Sequence, residues 1–285
     1  MDLSIIIVSW KVKEKLRANL QALFNSQGNF SYEVFLVDNN SDDGSVDMVK
    51  AEFPQVKLIA NSENFGFAKA NNQAIKQCIG DYILLLNPDM LVNPDTLIKS
   101  LTWAKNNQQA TVSSFRLVNE QGETIKHIRR FPTLFDQLMV IFKVPHFLPF
   151  VLNRYLYTNF NYDKEARVNS VRGAFFLINK KVWTEISAQE LPLLDEQYFI
   201  WFEEVDFCKQ VYQSGGEVWY SPVALCLDYI GASFGQVKIN TKQKYFEDSM
   251  LKYFKKWQAN YQSVILRSAW TFVNFIMSKV SKKLV

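Results

Sequence analysis

Two acid-bearing segments hold the residue types that a metal-assisted group transfer needs. Tyr82-Ile-Leu-Leu-Leu-Asn-Pro-Asp89 is an apolar run that ends on one acid, and Trp201-Phe-Glu-Glu-Val-Asp206 gathers further acids far downstream. Carboxylates are ligands for hard cations such as Mg2+ or Mn2+ and are also proton acceptors for a hydroxyl nucleophile. A buried parallel strand reads as a continuous apolar run, and α/β sheets collect ligands outside the carboxyl ends of such strands. Asp89 is therefore expected to be a cation-binding carboxylate.

The elements that must position these acids are legible as a rhythm. Strand-like runs at Leu3 to Ser9, Glu33 to Val37, Lys57 to Ala60 and Tyr82 to Leu86 each precede a helical pattern, at Val12 to Phe24, Ser45 to Phe53, Phe67 to Cys78 and Pro94 to Lys105. Short β-α connections repeated in this way predict an α/β fold with a mostly parallel sheet flanked by helices. Beyond Thr111 the pattern becomes mixed: strands are expected over Thr111 to Val118, Val171 to Ile178 and Glu217 to Tyr220, and a helix over Tyr198 to Gln213 that ends at Gly215-Gly216.

Two polar loops follow expected strand ends. Val37-Asp-Asn-Asn-Ser-Asp-Asp-Gly-Ser45 puts Asp38 where a carboxylate can accept a hydrogen bond from a base N–H or a ribose hydroxyl, although Asp43 and Ser45 also suit helix capping. Asn61 to Asn72 contains Gly66 and Lys69, which could offer close backbone approach and a cation to a diphosphate at a helix N-terminus; solvated loop residues are an equally good reading. Neither a Gly-x-Gly-x-x-Gly nor a Gly-x-x-x-x-Gly-Lys-Ser/Thr pattern occurs, which argues against a dinucleotide oxidoreductase and an ordinary NTPase.

The run Val-Asp-Asn-Asn-Ser-x-Asp-Gly-Ser, then Asn-x-Gly-Phe-Ala-x-Ala-Asn-Asn, then Leu-Leu-Leu-Asn-Pro-Asp, then Phe-Glu-Glu-Val-Asp-Phe-Cys resembles the inverting family 2 glycosyltransferases of the GT-A fold, nearest their rhamnosyltransferase-like branch. The resemblance spans roughly residues 3 to 235 in consistent order. It implies that Asp38 and Asn40 contact the nucleoside, that Asn64, Gly66 and Lys69 line the nucleotide site, and that Asp89 is the last acid of an Asp-x-Asp metal motif whose first position is here Asn87. Glu204 falls at the general base, where Asp is usual, with Glu203 and Asp206 beside it as alternatives. Asp228 occupies a position where many relatives place a metal-binding His, and its charge could offset the one missing at Asn87. Arg130 and Arg172 match segments that could clamp phosphate, with surface ion pairing as the plainer use, and Trp201 could stack on a sugar or pack in the core. His127 and His146 match no ligand spacing.

Composition sets the surroundings. The net charge is +4, yet residues 236 to 285 carry ten Lys/Arg against two acids. Within this segment, Arg267, Thr271, Asn274, Ser278 and Lys282 lie at helical spacing opposite Ile265, Leu266, Trp270, Phe272, Val273, Ile276, Met277 and Val280. A basic amphipathic helix of this kind suits an anionic membrane surface, and a helix packed on its own domain is the plainer alternative. The stretch Thr133 to Phe160 is also unusually apolar and aromatic. The three cysteines, Cys78, Cys208 and Cys226, have no metal or disulfide spacing, and neither a signal peptide nor a span of ~20 apolar residues is apparent.

These readings divide the chain into a GT-A domain at 1–235 and a basic amphipathic helical tail at 236–285. The expected activity is inverting transfer of a sugar, L-rhamnose or another deoxyhexose, from a nucleotide-diphosphate donor to a hydroxyl of a lipid-linked glycan in cell-surface polysaccharide or O-antigen synthesis. A dTDP-linked donor is favoured, with UDP as the alternative. The expected place is the cytoplasm, peripheral on the inner face of the cell membrane, with Mg2+ or Mn2+ as cofactor and no nucleic acid as partner. Two other classes remain at this level. A sugar-1-phosphate nucleotidyltransferase would need an early Gly-rich basic signature, whereas Leu3 to Lys13 has no Gly; a catalytically impaired scaffold would bind nucleotide without turnover.

Overall fold

The computed structural model describes residues 1–229 and 235–281. The first half is built from β1 (Leu3–Ser9), α1 (Lys13–Phe24), β2 (Tyr32–Asp38), α2 (Ser45–Glu52), β3 (Lys57–Ala60), α3 (Phe67–Ile75), β4 (Tyr82–Leu86), β5 (Met90–Val92) and α4 (Thr96–Asn106). There follow β6 (Ala110–Val118), α5 (Leu134–Ile141), two 3-10 turns at Val144–His146 and Pro149–Leu152, β7 (Ala166–Arg167), β8 (Phe175–Asn179) and α6 (Lys180–Ile186). The chain then forms α7 (Glu203–Gln213), β9 (Glu217–Asp228), α8 (Ile239–Trp257) and α9 (Asn260–Ser281).

One sheet in the order β3-β2-β1-β4-β8-β6-β9-β5, with β7 joined to β9, divides the molecule. The β3-β2-β1-β4 half is parallel; β8 then inserts antiparallel between β4 and β6, while β6 and β9 run parallel. The apolar runs of β1 and β4 bury both faces because helices cover the sheet on either side, and their side chains divide between two cores. Ile5, Ile7 and Leu84 face Leu16 and Leu20 of α1, whereas Ile6, Ile83 and Leu85 face Ala70 and Ala74 of α3.

Three expected boundaries move. The helix expected from Tyr198 begins only at Glu203, because Trp201 and Phe202 take left-handed backbone angles, φ 63° and φ 70°, that cannot continue a right-handed turn. The strand expected over Val171 to Ile178 starts at Phe175, leaving Val171 to Ala174 as a connector. Strand β9 continues past Tyr220 to Asp228, and an irregularity against Phe115 and Arg116 accommodates Pro222.

A third core joins the C-terminal helices to the body. Met250, Tyr253 and Phe254 of α8 and Leu266, Ala269 and Trp270 of α9 are buried with Tyr198, Phe202 and Ile141. Helix α8 and the described part of α9 therefore take part in the packing of the domain. The amphipathic pattern of α9 holds in part, with Leu266 and Trp270 turned inward and Ile265, Phe272 and Ile276 outward. Lys282 and Lys283 lie outside the described residues.

Candidate active site

A cavity of about 320 Å³ opens at the carboxyl ends of β1, β2 and β4, lined among others by Asn39, Asn64, Gly66, Asn87, Asp89, Arg172, Glu203 and Glu204. Both acid-bearing segments of the sequence thus meet in one hollow. Asn87 donates its backbone N–H to Ala174 O at 3.0 Å, which ties the loop after β4 to the connector before β8. On the other side of that connector, the Cβ of Glu204 lies 3.6 Å from where a Gly173 Cβ would stand. The first turn of α7 thus lies beside the strand-end loop, at a distance where a Cβ on Gly173 would make ordinary contact.

Asn87 and Asp89 line the cavity, Asp89 being 5% exposed. Asp228 lies opposite Met90 in the β5–β9 register, and Tyr229 N–H donates to Asp89 O at 3.2 Å, so β9 delivers Asp228 to the same neighbourhood. The Asp228 carboxylate accepts from Arg172 Nη1 at 2.6 Å. Two residues expected to act separately, one on metal and one on phosphate, are therefore joined as an ion pair. Among the described residues no group of three or more His, Cys, Asp and Glu is arranged to hold a metal. The Asn87 and Asp89 oxygens nevertheless fit a hard cation whose remaining ligands are substrate phosphates, the usual manner of holding Mg2+.

The facing wall is the turn Phe199–Phe202 and the start of α7. Glu203 and Glu204 both line the cavity, and each keeps one carboxylate oxygen buried without a hydrogen-bond partner. Burial raises the pKa of both. Glu203, which also faces the charges of Glu204 and Asp206, is held well above the ordinary carboxylate range; Arg172 tempers the rise at Glu204. The Arg172 charge thus favours the ionised form of Glu204, the form that can accept a proton.

Asp206 is oriented elsewhere. Its Oδ1 accepts from Trp257 Nε1 at 2.5 Å and Tyr198 OH at 3.1 Å, and its Oδ2 from Gln210 Nε2 at 2.7 Å and Lys256 Nζ at 2.8 Å. Absent from the cavity lining and with both oxygens engaged, Asp206 fastens α7 to α8, and the structure does not bring it to the base position.

On the donor-side loops the expectations divide. Asp38 is buried at the end of β2, where its carboxylate accepts from the backbone N–H and the hydroxyl of Ser41; it shapes its own loop rather than lining the cavity. Asn40, at φ 60°, is exposed, and Lys69 is exposed with its Nζ 4.1 Å from the Phe65 ring centroid. Arg130 stacks on Tyr157 at 4.5 Å, away from the lining. Gly66 does serve close approach, but to protein: at φ 81° its absent Cβ would fall 2.3 Å from Phe199 O, which also accepts Phe67 N–H at 2.7 Å. That bond uses the first amide of α3 to hold the turn before α7. Asn64 braces the same loop, its Oδ1 accepting Gly66 N–H at 2.9 Å.

Trp10, Asn39 and Phe199 are among the lining residues that were not singled out from the sequence. Asn39 donates to Gly66 O at 3.1 Å and accepts from Asn61 Nδ2 at 3.0 Å, so it knits the two polar loops. Its position directly after β2 was the available signal, obscured by the adjacent Asp38. Trp201 lines the cavity rim and lies 6.2 Å from Phe246 of α8, combining wall and core roles. His127 is buried with its pKa lowered to about 4 by that burial, and His146 is exposed on a 3-10 turn; neither lines the cavity.

The family model of glycosyl transferase family 2 matches residues 4–182, and the chain belongs to that family. Among curated relatives, the uncharacterized glycosyltransferase YfnE of Bacillus subtilis is 31% identical over 115 residues, 39% of this chain and 29% of that protein. The chain therefore matches less than a third of that relative's length. Rhamnosyltransferase WbbL of Escherichia coli is 22% identical over 79% of this chain and 82% of its own length. The N-acetylglucosaminyl-diphospho-decaprenol L-rhamnosyltransferase of Mycobacterium tuberculosis is 24% identical over 71% of this chain and 68% of its own. Of the solved structures, S. aureus TarS 1-349 superposes with a TM-score of 0.55 at 14% identity, covering 98% of this chain and 73% of that one. The Pyrobaculum calidifontis mannosyltransferase PcManGT in complex with GDP-Man and Mn2+ gives 0.58 at 13% identity, covering 98% and 75%. Both share the GT-A fold.

Proposed function

We propose that this protein transfers a deoxyhexose, L-rhamnose foremost, from a dTDP-linked donor to a hydroxyl of a lipid-linked glycan, with inversion and with Mg2+ or Mn2+. The observation that carries the reading is that Asn87 and Asp89 share one 320 Å³ cavity with Glu203 and Glu204. Inversion needs a base on the side of the sugar opposite the leaving diphosphate. Glu204, on a different wall from Asp89 and with an unpartnered oxygen, suits that task. It would take the acceptor hydroxyl's proton as the oxygen bonds to the anomeric carbon and the diphosphate departs with the electrons of its bond to that carbon. Asn87 and Asp89 would hold the cation, which supplies neutralisation of charge on the diphosphate. Arg172, directed by Asp228, adds a fixed positive charge on the cavity wall. The rhamnosyl class is supported by the similarity to the two rhamnosyltransferases, and the lipid-linked acceptor by the name of the mycobacterial one.

The molecular surface suits such an acceptor. Among the described residues, eleven of the fifteen exposed large hydrophobic side chains fall within residues 134–152 or on α9, including Phe135, Phe142, Phe147, Phe150, Phe272 and Phe275. Helices α5 and α9 pack together through Ile141, Leu266 and Trp270, so the two apolar stretches of the sequence adjoin. Lys279 stands 4.4 Å from the Phe275 ring centroid, a cation beside aromatic surface as at a bilayer interface. No described helix is long and apolar enough to cross a membrane, and this surface would lie on one instead.

Calorimetric titration with dTDP, UDP and GDP, each with and without Mn2+ or Mg2+, tests the reading. One nucleotide, dTDP, should bind with metal enhancement, and Asp89→Ala should remove that enhancement, weakening binding by ~10-fold or more. Binding without turnover of any sugar nucleotide would return the protein to the scaffold class.

A further inference from the structure

Glu203 has a place in the cavity that the transfer chemistry above leaves unused. It is 5% exposed and lines the cavity, and its Oε2 is buried with no partner. A buried polar oxygen left without a partner is costly, and the cost falls when the group carries a proton or gains a partner. The neighbouring Glu204 lines the same hollow and keeps a second such buried oxygen. Two adjoining carboxyl groups in one dry wall cannot both ionise cheaply, because like charges at close range each raise the cost of the other.

We propose that Glu203 is a ligand-binding residue of the sugar subsite, working as a neutral carboxylic acid that donates a hydrogen bond to a ring hydroxyl of the transferred sugar while Glu204 alone is ionised. This rests on the glycosyl-transfer reading. The charges around Glu203 favour that division. On α7 it faces Glu204 and Asp206, both of which oppose its ionisation. The nearby cation, Arg172, acts on Glu204 and is already bound to Asp228 at 2.6 Å. From α8, Lys256 is committed to Asp206 and Asp195, and Tyr253 carries no charge at neutral pH because burial raises its pKa. The Tyr155 phenol, which feels Glu204, is likewise pushed up to about 12 by burial. No cation is thus left to hold Glu203 ionised among these groups. A neutral acid can donate to a hydroxyl oxygen, which a carboxylate cannot do.

Infrared difference spectroscopy on the full chain tests the protonation state without substrate. A carboxylic-acid C=O band present at neutral pH should vanish in Glu203→Gln and persist in Glu204→Gln; a band that survives in Glu203→Gln overturns the inference. The second measurement is acceptor-free hydrolysis of whichever sugar nucleotide the wild type consumes from a panel of UDP-, dTDP- and GDP-sugars. Glu203→Ala should raise KM for that donor ~10-fold, the size of one lost hydrogen bond to a buried group. Glu203→Gln, an amide that can still donate, should restore most of that KM, keep the acid limb of the pH profile in place and remove an alkaline limb. An acid limb displaced to lower pH in Glu203→Gln would mean that Glu203 was ionised beside Glu204, and would overturn the proposal. If the wild type hydrolyses none of the panel, the transfer reading fails, and the infrared band still decides Glu203.

Discussion

The two walls of the cavity are built by different means. The wall bearing Asn87 and Asp89 comes from the ends of consecutive strands, each fixed by its own apolar run and by parallel register with its neighbour. The wall bearing Glu203 and Glu204 follows two successive left-handed residues, Trp201 and Phe202, in a turn that no local preference supports. It is held from outside: Ser249 Oγ donates to Ile200 O at 2.8 Å, Lys252 Nζ to Gln197 O at 2.7 Å, and Phe202 packs 5.5 Å from Tyr253. All three supports belong to α8. The first wall is a property of the sheet, whereas the second depends on a helix that comes later in the chain and at first reads as a tail. Strained backbone at a catalytic turn persists only where surrounding contacts over-determine it.

The largest effect expected from this contrast is at the base. Glu204→Gln should lower turnover by ~10² or more while metal-enhanced nucleotide binding stays close to wild type, since the amide removes the proton acceptor and leaves the other wall alone. Wild-type turnover should fall as pH drops and Glu204 is protonated. Because burial raises that pKa, the loss should begin above the ordinary carboxylate range. A Gln variant with normal turnover would remove Glu204 from the mechanism.

The next probe separates the walls through Asp206. Asp206→Asn weakens its bonds to Trp257 and Lys256, and stability to denaturant should fall by about 2 kcal/mol, the scale of a hydrogen-bonded buried charge. Turnover should drop more than nucleotide affinity does. Equal losses in both would show that α8 supports the whole cavity and would erase the distinction. The smallest effect is expected at the outer surface: Phe147→Ser with Phe150→Ser should weaken binding to anionic vesicles about tenfold, the scale of partial rather than full burial of two aromatic side chains at an interface. Nucleotide binding should be retained, and unchanged vesicle binding would move the contact to α9 alone.

The same contrast explains what was legible in the sequence. Continuous apolar runs such as Tyr82 to Leu86 can only be buried strands in this setting, so the parallel half of the sheet and the position of Asp89 followed from pattern. The register that brings Asp228 beside Asp89 is long-range pairing between β5 and β9, invisible to periodicity. An aromatic pair such as Trp201-Phe202 reads as ordinary helix, because left-handed geometry there is imposed by α8 and not by composition. The acids of Glu203 to Asp206 likewise look equivalent in the motif, and only packing separates the two that face the cavity from the one that fastens helices. Gly66 was legible as a position of close approach, but the approaching group is Phe199 O, supplied from far along the chain.

One feature of α7 provides a reporter for this arrangement. Cys208 lies four residues beyond Glu204, fully buried, and burial raises its thiol pKa far from the reactive range. Cys78 and Cys226 are buried too, their thiols similarly suppressed. Alkylation of Cys208 must therefore wait for α7 to part from its neighbours, so its labelling rate is a clock for opening of the segment that bears the base. Followed by mass spectrometry in the presence of nucleotide or vesicles, that clock would tell whether occupying the donor wall or docking the aromatic surface tightens the distant turn.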